Sequence, residues 1–205
     1  MYKIKTVQNE KELKKVFDFL SSLFYEDAIK YKEHYYTMGE RFEEMKKMLE
    51  TDSDFLMYIE ENQKIIAAIT GKNIDKEKKK ITISVIGVAI PKRRKGIAKL
   101  LITEFEKRCS KKKITHIDLG ARFRACPLYL SMNYKPSLMI QVFDFVTIED
   151  VKKKNPYHFP EGFSWQGEHY GFIFYQTEEV KEEYIQWFEQ NIPTAHAQYI
   201  FEKDL

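Results

Sequence analysis

The residues of this chain that are best suited to hold a ligand lie between an apolar run and an amphipathic stretch. The run Ile81 to Ile90 ends at Pro91, and apolar residues recur at helical spacing from Ala98 onward. Four basic residues, Lys92 to Lys95, stand between them and are followed by Gly96. A helix start leaves N–H groups without intrahelical partners and attracts anions. Small residues let a diphosphate approach the main chain, so the segment predicts a phosphate-binding turn.

Other interpretations of this turn are weaker. It contains neither Gly-x-x-x-x-Gly-Lys-Ser/Thr nor Gly-x-Gly-x-x-Gly, the two better-known phosphate loops. The run Pro91 to Lys95 is also typical of a nuclear-localisation or nucleic-acid-binding patch. The small residues and the amphipathic helix that follow at once favour phosphate binding.

The predicted elements place this turn between a strand and a helix. Strands are predicted at residues 2–7, 55–60, 64–71, 81–90, 114–119 and 138–145, once or twice within 162–175, and at 195–201. Helices are predicted at residues 9–24, 39–51, 98–109, 127–132, 147–154 and 178–190. Residues 25–38 show no clear period, and we interpret them as a loop or broken helix.

Composition excludes several classes of protein. Hydrophobic residues make up 43% of the 205 residues, which excludes wholesale disorder, and the net charge of +3 does not indicate a nucleic-acid-binding protein. We expect no membrane span, no signal peptide and no metal site, because apolar runs are short and the five histidines are scattered. Two cysteines, Cys109 and Cys126, predict reduced thiols in a cytoplasmic protein.

Two ordered motifs resemble the GNAT superfamily of N-acetyltransferases. Arg93-x-x-Gly96-x-Ala98 resembles the Arg/Gln-x-x-Gly-x-Gly/Ala signature that binds the pyrophosphate of acetyl-CoA. Ala125-x-x-Leu128-Tyr129-x-x-x-Asn133-Tyr134 resembles the family's Asn-x-x-Ala-x-x-Leu-Tyr-x-x-x-Gly-Phe block. In that alignment Arg122 stands where the family often has an Asn that contacts CoA, and Asn133 replaces Gly. The resemblance covers about residues 1 to 145.

The resemblance implies a mixed α/β fold. A central, mixed but mostly antiparallel sheet is expected to be flanked by helices, with a small βαβαβ-like C-terminal extension. Residues 1–145 are the predicted acyl-CoA-binding acyltransferase domain, and residues 146–205 are the predicted α/β extension packed on it. The family's fourth strand, here residues 81–90, is bulged and splays from the fifth, here 114–119. Gly87 is suited to such a bulge or to a close approach.

The activity implied by the resemblance is transfer of an acetyl or related acyl group from acyl-CoA to a primary amine. Acetyl-CoA or another acyl-CoA is the expected co-substrate. The expected partner is a small-molecule or peptide amine, with a homodimer left open and neither nucleic acid nor a membrane expected. A non-catalytic module that senses or binds CoA or another anion is the alternative. The implied cofactor-binding residues are Ile86, Gly87, Val88, Arg93, Arg94, Lys95, Gly96, Ile97, Ala98, Lys99, Arg122 and Tyr129.

The catalytic residues follow from the same resemblance. Tyr129 occupies the position of the family's usual general acid, which protonates the leaving thiolate of CoA. A lysine-like amine of pKa about 10.4 must lose a proton, at a cost of about 4.6 kcal/mol at neutral pH. Residues 81–90 contain no acid, so Glu60 and His116 are the candidate bases. A water relay or an amine that arrives neutral is the alternative.

Structural interpretations stand beside these functional ones. Tyr129 could be a packed aromatic, His116 a hydrogen-bonded strand histidine, and Cys126 a buried thiol rather than a nucleophile. The many aromatic residues of 157–175 could line an acceptor pocket or a dimer contact, although core packing is the default.

Overall fold

The structure is a computed structural model that describes residues 2–24 and 38–205. Of the predicted loop or broken helix at residues 25–38, every residue but the last lies outside the described residues. The strands of the described part are β1 (Ile4–Thr6), β2 (Leu56–Glu61), β3 (Lys64–Asp75), β4 (Lys80–Val88), β5 (His116–Ala121), β6 (Lys135–Phe143), β7 (Glu161–Gln166), β8 (Tyr170–Gln176) and β9 (His196–Asp204). Its α-helices are α1 (Glu10–Leu23), α2 (Met38–Asp52), α3 (Ile97–Lys111), α4 (Cys126–Leu130), α5 (Ile148–Lys154) and α6 (Glu182–Asn191).

The chain divides into two compact units. The first unit contains Met1–Ile117 together with Asp204–Leu205, and the second contains Asp118–Lys203. The predicted mixed α/β fold, with a mostly antiparallel sheet and flanking helices, is confirmed. The division into domains 1–145 and 146–205 stays a prediction.

The first unit is an antiparallel meander of β1, β2, β3 and β4 covered by helices. A tight turn joins β2 and β3, with Asn62 and Gln63 at φ values of 50° and 62°. The apolar stripe of α1, at Leu13, Val16 and Leu20, is buried as its helical spacing predicts.

The bulge and Gly87 are separate features of β4. Thr70 is opposite Val85 whereas Gly71 is opposite Ile83, so Ser84 is the extra residue of the bulge. Gly87 has another reason, because a Cβ there would lie 2.8 Å from a methyl group of Leu23 at the end of α1. Gly87 therefore allows α1 to approach the sheet closely.

The second unit has the strand order β5, β9, β6, β8 and β7, with residues 118–121 of β5 belonging to it. Strand β6 is antiparallel to both β9 and β8, and β7 and β8 form a hairpin. Alternate residues of β6, Leu138, Ile140 and Val142, are fully buried. Residues 146–205 run in the order helix, strand, strand, helix, strand.

Two further observations concern the described part of the chain. It contains no helix that is both long and apolar enough to cross a bilayer. Both cysteines are free and buried, and burial raises the pKa of each thiol to about 12. Cys126 is thus a protonated thiol at neutral pH, which favours the packing interpretation over a nucleophile.

Removal of the cap of α1 should destabilise the first unit. Asn9 Oδ1 accepts a hydrogen bond from the Glu12 N–H at 3.0 Å. We expect Asn9→Ala to lower the free energy of unfolding by about 1 kcal/mol, measured by urea denaturation. Asn9→Asp retains the acceptor and should stay close to wild type. Equal losses in the two variants would show that the cap does not stabilise the helix.

Candidate functional site

Hydrogen bonds from the main chain and from a side chain hold the turn between β4 and α3 in place. The Ala89 N–H donates to the Ile66 carbonyl at 2.8 Å, and residues Ile90–Lys92 then form one turn of 3-10 helix. The side chain of Arg93 folds back, and its Nε donates to the Val88 carbonyl at 3.1 Å. This arginine therefore holds the end of β4 and the start of the basic segment together.

The start of α3 is open. Gly96 is the N-cap residue at φ 76°, and no side chain caps the helix. The first intrahelical bond is donated by Leu100 to the Gly96 carbonyl at 3.0 Å, so the N–H groups of Ile97, Ala98 and Lys99 have no intrahelical acceptor. A Cβ added to Gly96 would have, apart from the two neighbouring residues of the chain, no described residue within 4 Å. The space beside Gly96 is therefore open among the described residues, as a phosphate-binding helix start requires.

The basic side chains of the turn are not equivalent. Lys92 forms an ion pair with Glu61 of β2, and this hydrogen bond raises the pKa of Lys92. Arg93 uses its Nε on Val88, as described above. Arg94, Lys95 and Lys99 are exposed around the helix start. Sequence alone could not separate Lys92 from the others, because its partner lies 31 residues away.

The predicted pantetheine-binding residues alternate in direction along β4. Gly87 is opposite Ala68 of β3. It lies two residues before Ala89, whose N–H donates to Ile66 of β3, so the main-chain groups of Gly87 and Ala89 point to the same edge of β4. Main-chain groups of successive residues point to opposite edges of a strand. Ile86 and Val88 therefore direct their N–H and C=O groups away from β3, and Gly87 directs its groups toward it.

Arg122 and Tyr129 belong to the second unit. Tyr129 is buried in α4, with its ring 5.9 Å from that of Tyr134 and 5.3 Å from that of Phe201. Burial, followed by the nearby Cys126, raises the pKa of Tyr129, so its phenol keeps its proton at neutral pH. Burial and then the charge of Arg124 lower the pKa of Arg122.

The two candidate bases have ionic partners in the first unit. Glu60 on β2 lies 3.4 Å from the ammonium of Lys5. His116 Nδ1 lies 2.9 Å from Asp204 Oδ1. The pairing of His116 favours the structural interpretation of this histidine, and the roles of both residues as bases stay predictions. Among the described residues, no cluster of three or more His, Cys, Asp and Glu side chains could hold a metal ion.

Comparison with known proteins places this turn and fold in a family. Residues 15–134 match the model of the acetyltransferase (GNAT) family. No curated protein matches the chain. Among solved structures, it resembles Ard1 from Thermoplasma volcanium with a TM-score of 0.52 and 13% identity, over 86% of this chain and 99% of that one.

Two more structures show the same fold. An acetyltransferase of the GNAT family from Staphylococcus aureus Mu50 has a TM-score of 0.53 and 13% identity, over 85% of this chain and 99% of that chain. PaiA N-acetyltransferase from Thermoplasma acidophilum, solved in complex with coenzyme A, has a TM-score of 0.51 and 14% identity, over 86% and 99%. Since the family model covers more than half of the sequence, this chain belongs to the GNAT acetyltransferase family.

Proposed function

We propose that this protein transfers an acetyl or related acyl group from acyl-CoA to a primary amine by direct attack on the thioester. The observation that carries the proposal is the open start of α3, where Gly96 lies in the left-handed region without a side chain above the helix. A diphosphate is the anion that suits several converging N–H groups beside exposed cations. The acceptor in this proposal is a small molecule or a peptide.

The cofactor contacts follow from the geometry of the turn. The diphosphate accepts hydrogen bonds from the N–H groups of Ile97, Ala98 and Lys99. Arg94 and Lys95 add Coulomb attraction, which screening limits to a range of about 10 Å. Arg93 acts mainly through the Val88 carbonyl, so it shapes the turn as well as contributing charge.

The pantetheine arm is proposed to run along β4. Ile86 and Val88 supply its main-chain contacts because their polar groups point away from β3. Gly87 contributes by keeping the strand close to α1. The complex of PaiA N-acetyltransferase with coenzyme A supports this cofactor for a chain of the same fold.

The chemistry requires three proton movements: one proton leaves the ammonium, a second leaves the nitrogen of the tetrahedral adduct, and one reaches the CoA thiolate. The neutral amine nitrogen attacks the thioester carbonyl, a C–N bond forms, and the C–S bond breaks to release the CoA thiolate. The ammonium proton must leave before or during attack, at a cost of about 4.6 kcal/mol for a lysine-like amine at pH 7. Glu60 and His116 are engaged with Lys5 and Asp204, which favours removal of this proton through water.

Tyr129 is proposed to donate its hydroxyl hydrogen to the departing sulfur. Its raised pKa keeps the phenol protonated through the neutral range, which a donor requires. Full transfer to a thiolate, whose pKa is about 8.5, is uphill from such a phenol. Tyr129 therefore acts by hydrogen bonding to the charge that develops on sulfur, and solvent supplies the final proton.

The activity itself is tested by thiol release. Acetyl-CoA incubated with the protein and a panel of primary amines should release free thiol faster than in the absence of protein, and only when an amine is present. The panel includes amino acids, polyamines and a peptide with a free N-terminus. A protein that binds CoA in calorimetry yet releases no thiol with any of these amines would instead be a sensing or interaction module.

Gly96→Asp should lower the affinity for CoA by about 100-fold or more, because a carboxylate placed over the helix start repels the diphosphate. Isothermal titration calorimetry measures the affinity, and thermal unfolding checks the fold. Gly96→Asn is the matched control, since it adds a neutral side chain of the same shape that tolerates positive φ. We expect this control to lose less than about tenfold. Normal affinity for CoA in Gly96→Asp would show that the diphosphate does not bind at this turn.

Tyr129→Phe should lower kcat by about 100-fold or more while the Kd for CoA stays within about twofold of wild type. The ring contacts with Tyr134 and Phe201 remain in this variant, so the fold is retained. Steady-state kinetics and calorimetry on the same preparation separate the two effects. Retained turnover would assign Tyr129 to packing alone.

A further inference from the structure

The hairpin β7–β8 carries a continuous row of aromatic rings on one face. We call it the aromatic strip, and it consists of Phe163, Trp165, Tyr170, Phe172 and Phe174. Its centroid distances are 5.0 Å for Trp165–Tyr170, 5.6 Å for Trp165–Phe172, 6.0 Å for Phe163–Phe172 and 5.6 Å for Phe172–Phe174. The rings therefore touch one another across both strands.

Core packing does not account for this strip. Side chains of β8 alternate, and Gly171, Ile173 and Tyr175 form the buried face. A Cβ on Gly171 would lie 3.0 Å from Ile148 of α5, which places that helix on the buried side. The strip is on the opposite face, where Phe163 remains 60% exposed. Trp165 and Tyr170 are exposed by 41% and 43%.

A further exposed aromatic residue lies next to the β7–β8 turn. Phe145, two residues after the end of β6, is 77% exposed. The adjacent Asp144 N–H donates to the carbonyl of His169 in the β7–β8 turn at 2.9 Å, which holds the two loops together. Contiguous exposed aromatic surface, as in the strip, marks an interaction site.

Acidic residues predominate in the sequence of the hairpin. The segment from residue 155 to 180 contains no lysine or arginine but has the acidic residues Glu161, Glu168, Glu178 and Glu179. Lys152 of α5 lies 3.0 Å from Glu161, and Lys181 lies 2.5 Å from Glu179, so these two carboxylates are offset. Glu168 in the turn is 87% exposed, and Asp144 beside it is also exposed. The strip is thus an aromatic surface with an acidic rim at the turn.

We propose that the aromatic strip binds a lysine- or arginine-bearing polypeptide segment of a partner. Aromatic faces attract ammonium and guanidinium groups, and carboxylates at the rim attract the same cations. A second copy of the strip is a less suitable partner. If two strips packed together, Glu168 and Asp144 of one copy would either repel the same residues of the other copy or be buried against apolar rings. Nucleic acid and anionic lipid would meet repulsion at the same carboxylates.

This binding is separate from acyl transfer. It requires neither CoA nor the turn at Gly96, and it lies wholly within the second unit. Variants of the strip should therefore keep thiol release with a small amine, so a failure of this proposal is distinguishable from a failure of the proposed function.

The experiment places a reporter inside the strip. The chain has two tryptophans, and Trp187→Phe leaves Trp165 as the remaining one. Octalysine should change the emission of Trp165, whereas octaglutamate should not. Fluorescence anisotropy with labelled octalysine gives the Kd. Octalysine acetylated on every side chain should bind at least about tenfold more weakly. Unchanged Trp165 emission, or equal binding of the acetylated peptide, would overturn the proposal.

Variants then locate the binding. Phe163→Ala with Trp165→Ala should weaken labelled octalysine by about tenfold or more. Glu168→Lys, at a highly exposed position where folding is not in question, should weaken it by about threefold or more at low salt. Glu77→Lys in the first unit is the matched control and should change the Kd by less than about twofold. Equal losses in Glu168→Lys and Glu77→Lys would mean general electrostatic attraction and would overturn the proposal.

Light scattering tests whether a second copy of this chain, rather than a cationic partner, covers the strip. The protein should show no self-association that the double variant abolishes. A dimer that is lost in Phe163→Ala with Trp165→Ala would mean that a second copy covers the strip, and it would overturn the proposal of a cationic partner.

Discussion

The sharp turn after β4 is the constraint on which the candidate site depends. A strand that ends at Val88 and a helix that begins at Ile97 are joined through two residues in the left-handed region, Arg94 and Gly96. That conformation costs glycine little, and the first N–H groups of α3 have no capping side chain. Helix α1, by contrast, starts with a side-chain cap from Asn9.

The basic residues of the turn divide between architecture and binding. Lys92 pairs with Glu61, and Arg93 reaches back to Val88, so both help to fix the path of the chain. Arg94 and Lys95 remain exposed beside the helix start. The sequence shows four similar cations, and only their different partners separate those that hold the turn from those that can attract an anion.

The second unit uses aromatic residues in two ways. Tyr129 is packed between rings and is desolvated, which keeps its phenol protonated. The hairpin β7–β8 instead presents its rings outward on one face while its other face builds the core. Aromatic content alone does not distinguish these uses, because strand alternation decides which ring meets the core and which meets solvent.

Local patterns by themselves determined most elements, the β4–turn–α3 motif and the family resemblance, because helical and strand periodicity and a small residue at a helix start are properties of neighbouring residues. Long-range contacts decided the rest. Helix α6 begins at Glu182 rather than at the predicted residue 178, since the hydroxyl of Tyr199 on β9 exchanges hydrogen bonds with the Lys181 main chain and holds it extended. Gly87 likewise faces α1 instead of forming the bulge. Such outcomes depend on groups that folding brings together from distant positions, and no local pattern encodes them.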